Sequence, residues 1–251
     1  MLLELDAIEP KIYALQMSSD DGRNSFSMAF RDELSEALAK AADIDDLRVL
    51  VLRGNQQWFS SGASSVTLEK MMSGELLPEE LTWPREVLNF RAPVLALAEG
   101  HATGGGFALA LACDFLYLSR TSLYGCNFMR VGLTPGNGTS AFLPELTGSR
   151  KALELLLTGD LKAGAWWETH STASVFDLPA LGEAALRTAR GIVEKPRELV
   201  NDVLGASRER KLALFEAAFK REQQGHRISL QNEDARASLR RHLGEGDSHD
   251  P

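Results

Sequence analysis

The chain has 251 residues, 44% hydrophobic and 25% charged, which is enough to bury one large core without disulfides or metals. A formal net charge of −8 and the lack of any Lys/Arg-rich run speak against nucleic acid as a partner. No apolar run reaches transmembrane length and the N-terminus has no basic or signal-like segment, so the expectation is a cytoplasmic protein with no membrane contact. The two cysteines, Cys113 and Cys126, have no zinc-ligand spacing, and no metal is expected.

Strand and helix signals alternate up to about residue 175, predicting an α/β fold. Residues 2–8 and 11–17 read as a strand pair about Glu9-Pro10, followed by a turn at Asp20-Asp21-Gly22. Ser25 or Ser27 caps an amphipathic helix through Ala42, with Phe30, Leu34 and Leu38 on one face. Residues 48–53 form a buried strand ending at Gly54, and a loop over Trp58-Phe59-Ser60-Ser61-Gly62-Ala63-Ser64 follows. Residues 65–80 are weakly patterned and read as a mobile segment. Residues 93–98 form a second buried strand.

Gly104, Gly105 and Gly106 then run into the apolar helix begun by Phe107-Ala108-Leu109, ahead of another strand at 115–118. Glycines between a strand and a helix let main-chain amides touch a ligand, and the positive end of the helix suits an anionic oxygen. The alternative is a tight turn packing helix on sheet. The P-loop lysine is missing and the glycines are not spaced as in a dinucleotide fingerprint, so neither ATP nor NAD is indicated.

Beyond residue 175 the pattern is helical, at 180–193, 196–207, 209–224 and 230–242. This divides the chain into a core (1–193), a C-terminal helical region (194–243) and a polar tail (244–251) expected to be disordered. Leu212, Phe215, Phe219 and His226 share one helical face, which leaves His226 as a core histidine, an exposed one if Gly225 ends the helix, or a functional one. His101 reads as a support for the glycine loop, and Trp166-Trp167 as helix packing or a channel wall. Lys70 is a solvated loop residue or a site cation. Asn127 and Thr139 are either pocket groups or turn and capping residues.

Five stretches, Asp21-Gly22-Arg23-Asn24-Ser25, Phe59-Ser60-Ser61-Gly62-Ala63-Ser64, Gly100-His101-Ala102-Thr103-Gly104-Gly105-Gly106, Cys113-Asp114 and Gly132-Leu133-Thr134-Pro135-Gly136, together resemble the crotonase (enoyl-CoA hydratase/isomerase) superfamily. The resemblance implies a spiral of ββα units with a trailing helical domain, packed as a homotrimer, and a site for an acyl thioester. It places the two main-chain donors for the thioester oxygen at Ala63 and Gly105, with Gly62, Gly104 and Gly106 beside them on the substrate. Preorganised amides in a dry site stabilise the enolate oxygen.

Hydratases of the family carry two glutamates, where this chain has Ala108 and Phe128; neither side chain can move a proton to or from water. Ser64 replaces the common aspartate after Gly-Ala, removing a negative charge from the loop mouth. Asn127-Phe128-Met129-Arg130-Val131-Gly132-Leu133-Thr134-Pro135-Gly136-Asn137-Gly138-Thr139 is similar to the decarboxylating crotonases of polyketide β-branching cassettes. That likeness implies conversion of a 3-methylglutaconyl to a 3-methylcrotonyl thioester on an acyl carrier protein or CoA, without a cofactor. It gives functional roles to His226 and to Lys70, although a gapless alignment puts Met71 at the lysine position. Phe128 and Met129 would form an apolar pocket for the distal carboxylate.

Other readings are an enoyl-CoA isomerase and a non-catalytic binding protein of the same fold. Between Pro196 and Arg241 ten Lys/Arg face seven Asp/Glu, which suggests either a basic dock for an acidic carrier or a solvated helix face.

Overall fold

An antiparallel hairpin opens the chain: β1 (Leu2–Glu9) and β2 (Ile12–Ser18) pair from Leu2 opposite Ser18 to Glu9 opposite Ile12. The structure, a computed structural model, describes residues 2–244, so the tail after Gly244 lies outside the described residues. Ser27, rather than Ser25, caps α1 (Met28–Ala42): its Oγ accepts from the Phe30 N–H at 3.2 Å, and Phe30, Leu34 and Leu38 are buried.

From here one unit repeats three times. The first repeat is β3 (Val49–Arg53), β4 (Trp58–Ser60) and α2 (Ser65–Ser73). A 3₁₀ turn at Pro78–Glu80 and the short α3 (Trp83–Leu88) lead to the second, β5 (Val94–Ala98), β6 (His101–Thr103) and α4 (Gly105–Ala112). The third is β7 (Phe115–Ser119), β8 (Leu123–Gly125), a 3₁₀ segment at Asn127–Val131, and α5 (Thr139–Thr147). Then come α6 (Ser149–Thr158), β9 (Lys162–Ala163), α7 (Gly164–His170), β10 (Ser174–Phe176) and the C-terminal α8 (Leu178–Val193), α9 (Arg197–Gln231) and α10 (Glu233–His242).

The first strand of every repeat joins a six-stranded sheet ordered β1-β2-β3-β5-β7-β10, and the second joins a four-stranded sheet ordered β4-β6-β8-β9. From β2 to β10 the large sheet is parallel, which requires crossover connections, and its central strands are buried on both faces. This is the expected spiral of ββα units.

Two expectations are corrected. Where a weakly patterned segment is expected over 65–80, Ser65–Ser73 form a capped helix: Ser64 Oγ accepts from the Thr67 N–H at 3.2 Å, Leu68 and Met71 are buried, and Gly74 closes α2 at φ +78°. The helices read at 196–207 and 209–224 are one 35-residue helix, α9, with Gly225 inside it. The apparent break is Arg208, a buried arginine on the apolar face. It donates through Nε to Asp114 Oδ1 at 2.9 Å and through Nη2 to the Ala92 carbonyl at 2.9 Å, pinning α9 to the core. Asp114 also accepts from the Val94 N–H at 2.8 Å, which explains the Cys113-Asp114 pair as structural.

Candidate active site

Because β4, β6 and β8 are parallel neighbours, with Ser60 opposite Ala102 and Thr103 opposite Gly125, the three connections leaving them emerge side by side. Ala63 lies on the first, Gly105 at the helix start of the second, and Asn127 on the third. The first connection is held by the 21–26 turn. Asn24, fully buried at φ +52°, donates through Nδ2 to the Trp58 and Phe59 carbonyls at 3.0 and 3.2 Å. Ser60 Oγ donates to the Asn24 carbonyl at 2.7 Å, and the Phe26 N–H donates to the Gly62 carbonyl at 2.7 Å.

Around the two candidate donors three neighbouring amides are engaged. The Gly62 N–H reaches Ser60 Oγ at 3.1 Å, the Ser64 N–H the Phe26 carbonyl at 2.9 Å, and the Gly104 N–H the Gly125 carbonyl at 2.9 Å. The Ala63 and Gly105 amides donate to nothing among the described residues. Gly62 takes φ +83°, and a Cβ there would stand 2.8 Å from the Gly105 nitrogen, so the two loops are in contact through glycine. A Cβ on Gly106 would fall 2.3 Å from the Ser60 carbonyl oxygen, so this glycine lets α4 pack closely on β4.

Both amides open onto a cavity of about 60 Å³ lined by Ala63, Gly104, Gly105, Asn127, Phe128 and His226, with Leu68, Met71, Leu81, Val131 and Leu133 as apolar wall. Ser61, Trp83, Asn137 and His242 complete it, and no Asp, Glu, Lys or Arg belongs to the lining. Five expected site residues, Gly62, Lys70, Gly106, Met129 and Thr139, are not part of this lining. Lys70 is on the exposed face of α2 while its neighbour Met71 enters the wall. Met129 is 41% exposed and outside the cavity. Thr139 is fully buried and donates to the Gly136 carbonyl at 2.8 Å, the turn role of its two readings. Gly62 is a spacer behind the wall.

His226 is buried within α9, and its face is a clamp on the 134–140 turn. Glu222, one turn earlier, accepts the Gly138 and Ser140 N–H groups at 2.7 and 2.8 Å and so caps α5. His226 Nε2 donates to the Thr134 carbonyl at 2.8 Å, and Ser229 Oγ accepts from the Thr134 N–H at 3.1 Å. Gly225 and Gly136 allow this approach, since a Cβ would meet Thr134 Oγ1 at 2.7 Å or the imidazole at 2.4 Å. Burial pushes the His226 pKa down to about 4, only partly countered by the bond to Thr134, so the ring is neutral at pH 7 with Nδ1 as its proton acceptor.

His101 Nδ1 accepts from the Leu123 N–H at 2.8 Å, which ties it to the start of β8 and not to the glycine loop, and Trp167 packs on Phe107. Cys113 and Cys126 are buried thiols, and burial raises both pKa values, that of Cys113 to about 12. A larger cleft of about 330 Å³ near Glu145, Arg210 and Lys211 has its charges already spoken for: Arg210 pairs with Glu145, and Lys211 donates to the Ala112 and Cys113 carbonyls at 2.9 and 2.6 Å. With Arg208 on Asp114 and Arg227 on Glu79, much of the basic excess of 196–241 is consumed internally. Sequence reasoning missed Trp83, Asn137, Glu222, Ser229 and His242. For Glu222 and Ser229 a signal existed, since each follows a member of the stripe of Phe215, Phe219 and His226 by three residues and so shares its face.

A repeated ββα spiral with two unengaged amides from successive repeats on one cavity is a fold of the crotonase type. The chain belongs to the enoyl-CoA hydratase/isomerase family, which it matches over residues 7–248. It is 30% identical over 197 residues to the bacillaene synthase decarboxylase PksI of Bacillus subtilis, covering 78% of this chain and 79% of that one. The ECH2 decarboxylase domain of CurF from Lyngbya majuscula superposes with a TM-score of 0.89 at 27% identity, over 96% of this chain and 98% of that domain. A structure described as part of a dehydratase/decarboxylase couple in polyketide β-branching matches with a TM-score of 0.90 at 26% identity, over 96% and 98%. Relatives with hydratase names match as well. Among the described residues no helix is long and apolar enough to cross a membrane.

Proposed function

We propose that the protein decarboxylates a 3-methylglutaconyl-type acyl thioester, and that it is not a hydratase. The observation that carries this reading is the pair of unengaged amides, Ala63 and Gly105, on a cavity whose wall contains no carboxylate. The amides hold the thioester oxygen. The bond between the substrate's distal carboxylate and the neighbouring carbon breaks, carbon dioxide leaves, and the electron pair spreads into a dienolate whose charge rests on the held oxygen. The largely apolar wall weakens solvation of the carboxylate before it leaves.

His226 supplies the balancing proton. Its neutral ring takes up a proton with the substrate, because a carboxylate beside it raises its pKa, and returns that proton to the dienolate carbon. The thioester is the electron sink, so the reaction as written uses no cofactor. The carrier is an acyl carrier protein, in line with the β-branching relatives, and a homotrimer belongs to the same reading.

The test is incubation with the 3-methylglutaconyl thioester on CoA and on a carrier protein, followed by mass spectrometry. Loss of one carbon dioxide is expected, and an unchanged or hydrated thioester overturns the proposal. A second reading, double-bond isomerisation, draws on the free Nδ1 of neutral His226 as a proton shuttle; a plain 3-enoyl thioester then shifts its double bond without losing mass.

A further inference from the structure

Trp83 is fully buried, and its indole Nε1 has no hydrogen-bond partner. A buried N–H without an acceptor costs on the order of 1–3 kcal/mol, and buried tryptophans normally find one. The ring is wedged against Phe26 and Phe30 at centroid separations of 5.0 and 6.3 Å, so the donor is held in place. It lies on the wall of the amide-lined cavity, 3.5 Å from the point a Cβ on Gly105 would occupy. Asn137 Nδ2 lies 3.5 Å from that same point. Asn137 is also buried, takes φ +59°, and its side chain makes no hydrogen bond among the described residues. A buried, left-handed asparagine with its amide unspent is a feature of sites rather than of turns satisfied within themselves.

Two fixed neutral donors thus stand over the residue whose own amide is free, in a cavity with neither a cation from Lys or Arg nor any carboxylate. We propose that Trp83 Nε1–H and Asn137 Nδ2–H bind the distal carboxylate of the thioester substrate. This deepens the decarboxylase reading and rests on it. Lys70 faces solvent, so at this end of the cavity the carboxylate meets dipoles where an ammonium would present a full charge. Neutral donors grip an anion tightly enough to orient it but do not anchor its charge in the ground state as an ammonium would, which favours its loss as carbon dioxide.

The experiment uses two CoA thioesters that differ in one group: glutaryl-CoA, which carries the distal carboxylate and has no double bond to drive its loss, and butyryl-CoA, which lacks the carboxylate. In protein labelled with ¹⁵N at tryptophan, the Trp83 indole resonance is assigned by its absence in Trp83→Phe. It should move downfield with glutaryl-CoA and stay with butyryl-CoA. Trp83→Phe and Asn137→Leu should each weaken glutaryl-CoA binding roughly tenfold, and leave butyryl-CoA within about twofold. Equal resonance shifts, or equal weakening for both ligands, overturn the carboxylate assignment while leaving the thioester site standing. If neither ligand binds the wild type, the thioester reading and this inference fall together.

Discussion

His226 and Thr134, 92 positions apart in sequence, are joined by a 2.8 Å hydrogen bond from the imidazole Nε2 to the main-chain oxygen. Since a carbonyl only accepts, the bond fixes the tautomer, and burial fixes the charge state at neutral. The pH consequence follows from the direction of the shift. The folded pKa, about 4, lies below the ordinary value of about 6.5, so between these limits the unfolded chain binds the proton and the native one does not. Stability from this group is complete above about pH 6.5 and declines as pH falls to about 4, by on the order of 3 kcal/mol. His226→Gln keeps an N–H for Thr134 and cannot titrate. Its urea-unfolding free energy should lose that slope across the acid range.

Gly62 and Gly74 both adopt left-handed backbone, at φ +83° and +78°, but only Gly62 has neighbours within reach of a Cβ. Alanine at either position should cost about 1–3 kcal/mol in stability. Gly62→Ala should also separate the Ala63 and Gly105 amides and lower kcat about 10²–10³-fold, the usual effect of losing one oxyanion donor, whereas Gly74→Ala should turn over normally. Steady-state decarboxylation, compared with thermal denaturation of the same samples, distinguishes the two effects.

Removing one member of the buried Arg208 and Asp114 pair leaves the other charge without compensation. Asp114→Asn or Arg208→Met should destabilise the protein by about 3–5 kcal/mol in chemical denaturation. The two together should cost less than the sum of the singles.

Lys70→Ala should change kcat by less than about twofold, since exposed lysines away from a site contribute little. A drop of tenfold or more in the thioester assay would return this lysine to the mechanism.

The central strands of the large sheet were legible because β3 and β5 are nearly continuous buried runs, and the two amides through the motifs that resemble the family, since the repeat itself leaves no mark in the sequence. The small sheet was not legible at Trp58–Ser60: three residues carry no period, and their pairing partner His101–Thr103 lies some forty residues on. The lysine assignment failed by one position, which on a helix turns a side chain through about 100°. Here that puts Met71 inward and Lys70 outward. Trp83 and Asn137 carry no local signal at all, because what makes them notable is an acceptor that the folded chain leaves out.

The outer walls of the cavity come from opposite ends of the chain, Leu68 and Met71 on α2 and His242 on α10. Arg236 of α10 donates from Nη1 to the Met72 carbonyl at 3.2 Å and to the Leu230 carbonyl at 3.1 Å, riveting the last helix to the end of α2. The wall at α2 and the wall at α10 are thus tied to each other directly, so a change at Arg236 is expected to be felt at the cavity although that guanidinium lies outside its lining.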